Sequence, residues 1–376
     1  MLSYFKKKIG EPMNALGISL YPEKSDYQAD KAYLTVAKKY GFSRIFMNLL
    51  LFKAKNVGPL VERLWKTIAY GNQLGFATFI DVNPYTLKAF DIAPKELSFF
   101  ADMGVKGIRL DMGFTGKEEA EMTQNNLGLK IEINMSNDDH YLDRIFDYQP
   151  NRQQLVGCHN FFPQAFTGLS VDYFIHCSNR FLERNLHTAA FVTSQVGEIG
   201  PWSLHEGLCT IEAHRHLPIE HQVKHLKFLN VVDDIIIGNA YASEDELKKM
   251  SQAFYSDVLT LSINPEATLT DLEKEIIEET AHTYRGDRSE YMIRSSMPRF
   301  TYYTRSIPEK EDASVIKRGD VLILNEAYGQ YKGEVQIALK DRPKDMRVNK
   351  VGRICQEDLI FLDAVKPYTS FSLRFL

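Results

Sequence analysis

Phe76–Pro84 reads FATFIDVNP, and Gly107–Phe114 reads GIRLDMGF. Each is a short run dominated by apolar side chains, and each carries acidic or amide groups toward its end. Between them lies PKELSFFADMG, a stretch of helical character that opens at Pro94 and stops at Gly104. Strands that are apolar at nearly every position and alternate with helices belong to a parallel sheet covered on its outer face. The two runs and the segment between them therefore read as one strand–helix–strand unit.

The unit recurs in both directions along the chain. Upstream are Asn14–Pro22 (NALGISLYP) and Ser43–Leu51 (SRIFMNLLL). Downstream are Lys130–Asn137 (KIEINMSN), Leu155–Pro163 (LVGCHNFFP), His187–Gln195 (HTAAFVTSQ) and Asp234–Ser243 (DIIIGNAYAS). The eight runs start about 31 residues apart, the length of one βα unit. The segments between them are amphipathic. DYQADKAYLTVAKKYG groups Ala29, Ala32, Leu34, Val36 and Ala37, with Gly41 as the stop. VGPLVERLWKTIAYGNQLG carries Pro59 near its start, and DELKKMSQAF follows Ser243 and Asp245 as candidate caps. Eight such units predict an α/β fold, a closed (βα)8 TIM barrel over residues 1–256. A doubly wound open sheet is the alternative, but no GxGxxG turn follows the first run.

Beyond Asp257 the pattern changes. LTDLEKEIIEETAHTYRGDRSE reads as a charged helix leading out of the barrel. Strand-like runs follow at Tyr291–Ser296, Phe300–Ser306, Val321–Asn325, Gly333–Leu339, Val348–Ile354, Leu359–Val365 and Thr369–Leu376. Turn residues at Pro308–Glu311, Arg318–Asp320 and Asp341–Pro343 separate them, with no helix-length amphipathic run between. A smaller all-β barrel or sandwich domain over residues 257–376, headed by that helix, is the expectation.

A chain of 376 residues is too long for one ordinary core and suits two domains. The net charge of −4 gives no reason to expect nucleic acid or an anionic membrane as partner. It leaves room for a small anionic ligand held by a local arginine cluster. Cys158, Cys177, Cys209 and Cys355 form no CxxC pair, so neither a zinc knuckle nor a redox motif is expected, and a reducing cytosol suits them. The opening MLSYFKKKIGEPMNALGISLYP is basic but has no apolar h-region, so a signal peptide is not expected either. No apolar stretch approaches a bilayer span.

Barrel enzymes carry their chemistry at the C-terminal strand ends and in the loops that follow. Those positions hold Ser19, Tyr21, Asn48, Asp81, Asn83, Arg109, Asp111, Asn134, Asn137, His159, Asn160, Thr193, Gln195 and Asn239. Asp81 and Asp111 end adjacent strands, where two carboxyls can split their pKa values into an acid and a base or nucleophile. The competing reading is that Arg109 or a helix N-terminus ties one of them down. After the seventh run comes a long loop, VGEIGPWSLHEGLCTIEAHR, in which Glu206 can turn into the site while Glu212 and His214 belong to the next helix. His221 and His225 stand at i, i+4 without the glutamate of HExxH, so a solvated helix face is the expectation and no metal is assigned. Arg285, Arg288, Arg294, Ser295, Ser296 and Arg299 lie at the junction of the two domains. They read either as a phosphate or carboxylate clamp or as a salt-bridge patch with Asp287 and Glu290.

Taken together, GISLYP, DVNP, GIRLDMGF, INMSN, HNFFPQAFTGLS, HEGLCTIEAHR, IIIGNAYAS and YRGDRSEYMIRSS resemble the bacterial 6-phospho-N-acetylmuramidases, formerly catalogued as uncharacterised outer surface proteins. The resemblance covers both domains. It implies a TIM barrel followed by a cyclophilin-like β-barrel domain without cyclophilin activity. It also implies cytosolic hydrolysis of 6-phospho-N-acetylmuramyl-N-acetylglucosamine during cell-wall recycling, with no cofactor. The outer-surface label conflicts with the missing signal peptide, and the sequence favours the cytosol.

Catalytic roles are read from position rather than from the resemblance. One of Asp81 and Asp111 protonates the glycosidic oxygen; the other, or the substrate's own 2-acetamido oxygen, stabilises the oxocarbenium-like centre. Glu206 is the reserve acid or base. Asn48, Asn134, Asn137, His159, Asn160 and Asn239 are candidate sugar-binding groups, and Arg285 or Arg294 with Ser295 would take the 6-phosphate. The expected partner is thus a phosphorylated amino-sugar disaccharide, with neither nucleic acid nor membrane, and a homo-oligomer stays open. A phosphosugar isomerase, epimerase or aldolase is disfavoured because no strand ends on a lysine. A non-catalytic carbohydrate-binding protein leaves the polar ring of strand ends unexplained.

Overall fold

The structure is a computed structural model that describes residues 14–48, 57–89, 92–93, 96–310 and 315–376. Leu49–Leu51 of the second expected strand, Pro94 at the expected helix start and Glu311 of the expected turn lie outside the described residues. The chain divides into two compact units that meet at Phe254 and Tyr255.

In the first unit β1 (Leu16–Leu20), β2 (Arg44–Asn48), β3 (Ala77–Val82), β4 (Gly107–Leu110), β5 (Lys130–Asn134), β6 (Leu155–Cys158), β7 (His187–Val192) and β8 (Asp234–Ile237) follow one another around a closed barrel. Every pairing is parallel, and β8 returns to β1 through Leu16 and Ile235. This is the expected TIM barrel. Each strand falls inside one of the eight apolar runs. Helices alternate with the strands. Tyr27–Lys39 is capped by Asp26, whose Oδ1 accepts from the amides of Gln28 and Ala29 at 2.8 and 3.3 Å. Gly41, at φ 83°, supplies the left-handed turn that ends it.

The barrel interior is charged as well as apolar. Arg44 pairs with Asp234 at 2.7 Å and with Glu132, and its guanidinium lies 4.0 Å from the centroid of the Phe79 ring. Side chains that sit in the barrel this deeply pay desolvation unless they meet opposite charge, so removing one partner is more harmful than never having had the pair. Register places Asn48 beside Asp81, Asp81 beside Arg109, and Arg109 beside Glu132. Four consecutive strands thus deliver polar groups to one level of the barrel.

The second unit is a seven-stranded mixed sheet in the order β10–β15–β9–β14–β12–β13–β11. Its strands are β9 (Leu259–Pro265), β10 (His282–Thr283), β11 (Met292–Ser295), β12 (Asp320–Leu324), β13 (Val335–Ala338), β14 (Val348–Ile354) and β15 (Ser370–Phe375). Only β9 and β15 pair in parallel. The end strands approach each other where the Arg285 amide donates to the Arg294 carbonyl at 2.9 Å, which makes the sheet a nearly closed barrel. Three expectations are corrected here. Leu259, Leu261 and Ile263 alternate as buried positions of a central strand, so the helix Asp271–Glu278 follows the unit's first strand instead of heading the unit. Phe300–Ser306 and Leu359–Val365 are not strands; short helices run over Met297–Thr301 and Phe361–Ala364. Pro298 sets helical φ at the start of the first, and Phe361, Leu362 and Ala364 bury one side of the second. Short apolar runs look alike in either conformation until packing decides. No helix of the described residues is long and apolar enough to cross a membrane.

Candidate active site

The mouth of the barrel holds a cavity of about 140 Å³ lined by Asn48, Asp81, Arg109, Asp111, Asn160, Phe161 and Trp202. Asp81 is the penultimate residue of β3 and is 2% exposed. Its Oδ1 accepts from Arg109 Nη1 at 2.8 Å and its Oδ2 from Asn48 Nδ2 at 3.3 Å. The same Nη1 lies 3.5 Å from Oδ1 of Asp111, just past β4. The other terminal nitrogen of Arg109 donates to Asn160 Oδ1. One guanidinium therefore organises two carboxyl groups and an amide.

Burial dominates the electrostatics of Asp81. The attraction of Arg109 lowers its pKa, but desolvation and the repulsion of Asp111 outweigh that and carry it from 3.8 to about 7. At neutral pH the carboxyl therefore exists in both protonation states. Asp111 differs in position: a third of its side chain, 34%, is open to solvent. The arrangement joins a carboxyl able to hold a proton to a second carboxyl reachable from the mouth.

Other sequence candidates sit elsewhere. His159 is fully buried between Ser136 Oγ at 3.1 Å and Ser178 Oγ at 2.9 Å, its ring tilted against that of Phe174, and burial beside Arg109 holds its pKa down at about 3. Neutral and enclosed, it braces the β5 and β6 loops and does not line the cavity. Asn239 is also fully buried, donating to the Ser194 and Gly197 carbonyls at 2.9 and 2.7 Å and accepting from the Ser194 amide at 2.8 Å. Asn134 accepts from the Ser136 amide at 2.9 Å, and Asn137 is exposed. Glu206 is exposed off the cavity and caps the Ala165 amide at 3.0 Å.

The long loop after β7 is shaped by Arg215. This side chain grips Glu212 with two bonds of 2.7 and 2.6 Å and donates to the carbonyls of Phe162 and Glu206, both at 2.9 Å. Glu212 in turn accepts from the amides of Phe166 and Gly168 at 2.9 and 2.7 Å, and its pKa falls to about 2. Glu212 and His214 form a separate 3₁₀ turn, Glu212–His214, ahead of the helix Ile219–Leu229 instead of belonging to it. His225 is not on a solvated face: its Nδ1 meets His214 Nε2 at 2.8 Å in the interior.

In the second unit the arginine cluster is largely matched by carboxylates. Arg294 clasps the buried Glu334 through bonds of 2.8 and 3.0 Å, Arg285 pairs with Asp287 at 2.6 Å, and Ser295 meets His282 Nδ1 at 3.0 Å. Among the described residues no group of three or more His, Cys, Asp or Glu side chains has the arrangement of a metal site.

Three lining residues escaped the sequence assignment. Arg109 is marked in the sequence as a strand-end residue and a partner for an aspartate but not as a site residue, yet it sits at the centre of the constellation. Phe161 follows the His159-Asn160 pair, and Trp202 lies in the long loop. An aromatic residue in a functional loop is a usable signal, but which face it turns to is a tertiary fact.

The 6-phospho-N-acetylmuramidase N-terminal family model matches residues 16–252, and the C-terminal model of the same family matches residues 259–374. A crystal structure of an uncharacterised protein from B. cereus is 44% identical, with a TM-score of 0.84 over 96% of this chain and 99% of that one. A conserved protein of unknown function from Enterococcus faecalis is 26% identical, with a TM-score of 0.71 over 96% of each chain. No curated protein matches the sequence.

Proposed function

The chain belongs to the 6-phospho-N-acetylmuramidase family of glycoside hydrolases, and from that membership we propose that it cleaves 6-phospho-N-acetylmuramyl-N-acetylglucosamine at the barrel mouth. The observation that carries this reading is the pair of carboxyls, Asp81 and Asp111, on one Arg109 nitrogen inside a cavity at the strand ends. Glycosidic cleavage needs a group that gives a proton to the leaving oxygen and a group that supports the developing positive charge. Asp81, with its pKa near 7, is our choice for the acid. Asp111, or the 2-acetamido oxygen of the substrate, supports the anomeric carbon.

The spacing favours retention of configuration. The two nearest oxygens lie 2.8 and 3.5 Å from the same nitrogen, and a closely set carboxyl pair is the retaining arrangement. An inverting enzyme needs room for a water between its carboxyls; here Arg109 occupies the space between them. Early time points of hydrolysis followed by proton NMR are expected to show the β or α form of the starting linkage retained; the opposite anomer appearing first would reverse the assignment.

Asn48 and Asn160 line the cavity and are assigned to sugar hydroxyls or the lactyl group. The 6-phosphate is assigned to the Arg285, Arg294 and Ser295 cluster, where it would compete with Asp287 and Glu334 for the two guanidinium groups. Arg285, with 40% of its side chain exposed, is the group most open to an incoming anion. The four cysteines are free and buried, which suits a reducing compartment and the cytosol as the place of reaction. The deciding experiment compares hydrolysis of the phosphorylated disaccharide with its unphosphorylated counterpart. Preference for the phosphorylated form is expected, and Arg285→Ala should narrow it. Equal turnover of both would remove the phosphate from the proposal, and turnover of neither would remove the glycosidase reading.

A further inference from the structure

We propose that Trp202 is the stacking platform for a pyranose ring beside Asp81 and Asp111, and that Lys24 is the positioning residue that holds it there. The inference rests on the glycosidase reading and adds the group that meets the apolar face of the sugar. A pyranose presents polar hydroxyls around its rim and C–H bonds on its faces. A site that offers only Asn48, Asp81, Arg109, Asp111 and Asn160 satisfies the rim and leaves the faces in water. Aromatic rings supply a large, rigid surface for such faces at little entropic cost.

Two aromatic residues line the cavity, Phe161 and Trp202. Phe161 is fixed edge-on against Phe46 and Phe191, with ring centroids at 6.0 and 5.0 Å, and belongs to the wall of the barrel. Trp202 is 40% exposed and rides on the loop between β7 and β8. That loop is pinned on one side where Ile199 and Ala240 exchange amide bonds of 2.8 and 2.9 Å, and on the other where the Glu206 amide donates to the Pro163 carbonyl at 3.0 Å.

Between the pins the backbone is gripped by a single side chain. Lys24, in the turn after β1, donates from Nζ to the carbonyls of Gly200, Pro201 and Trp202 at 2.7, 2.9 and 3.2 Å. An ammonium has three N–H donors, and all three are directed at consecutive carbonyls of this loop. Its turn is itself anchored, since the Lys24 amide donates to the Tyr21 carbonyl at 2.8 Å. Lys24 thereby sets the height of the Trp202 backbone relative to the carboxyls without touching the substrate.

The test uses the full chain, the phosphorylated disaccharide as substrate and N-acetylmuramic acid 6-phosphate as binding probe. Trp202→Ala is expected to raise KM about tenfold with little change in kcat, because stacking on a passive face is uniform binding. Trp202→Phe should restore most of the loss. Lys24→Met should reproduce the KM effect and add almost nothing in the Trp202→Ala background, which a general loss of stability would not mimic. The chain has two tryptophans, so Trp65→Phe leaves Trp202 as sole reporter, and its fluorescence should change saturably with the probe. Unchanged KM in Trp202→Ala, alongside normal wild-type hydrolysis, overturns the platform and leaves the glycosidase reading intact. Additive effects of Lys24→Met and Trp202→Ala overturn the positioning role. A wild-type chain that leaves the disaccharide whole overturns the glycosidase reading, and the fluorescence titration then decides on Trp202 alone.

Discussion

Asp81 concentrates the conflict that makes this site chemical. It is buried with a cation at 2.8 Å and a second carboxyl on that same cation, and burial wins. Two outcomes follow from its pKa near 7. As the acid, Asp81 must be protonated, so kcat/KM is expected to fall as pH rises through about 7, read from a pH–rate profile. For stability the sign is set by which state ionises first. The unfolded carboxyl loses its proton near 3.8 and the folded one near 7, so stability should fall as pH rises between those values. Asp81→Asn should flatten that slope in denaturant titrations across the same range. Both Asp81→Asn and Asp111→Asn are expected to lower kcat by about a hundredfold or more while circular dichroism stays native. Near-wild-type turnover in both would remove the carboxyl assignment.

Loops, at the scale of elements, are where acidic residues change meaning. Glu206, Glu212 and the strand-end asparagines have the residue types of a sugar site, but several are spent on backbone. Glu212 caps two amides and holds Arg215, while Asn239 ties the start of the β7 loop to β8. Because Arg215 is nearly enclosed and donates to three carbonyls besides its ion pair, Arg215→Met leaves several acceptors unmatched. A loss of about 1–3 kcal/mol is expected, discounted for the partial exposure of Glu212 and measurable by urea unfolding. Activity should suffer as well, through disorder in the loop that carries Trp202. A stable variant with unaltered KM would show that the brace serves only itself.

For the whole molecule, each unit closes its own hydrogen bonding: eight parallel strands in one ring, and seven strands in a nearly closed mixed sheet. A fragment beginning at Tyr255 retains all seven strands of its sheet and is expected to fold alone, with a cooperative thermal transition. A molten, non-cooperative fragment would contradict that. The barrel was legible because a closed parallel sheet demands the same local pattern eight times, and DVNP and GIRLDMGF already mark where β3 and β4 open into the mouth. The second unit was less so. Leu259–Pro265 stands next to a charged helix, and Phe300–Ser306 and Leu359–Val365 are short apolar runs whose form depends on what they pack against. The amino-acid sequence by itself determined the barrel, the strand-end position of Asp81 and Asp111 and the family resemblance, because these are written in period and motif. Only the tertiary structure decided that Arg109 joins the two carboxyls, that His159 and Asn239 face inward as braces, and that Lys24 reaches across to the Trp202 loop. Most of those are contacts between groups distant in the chain, up to 178 residues apart, and sequence spacing holds no record of them.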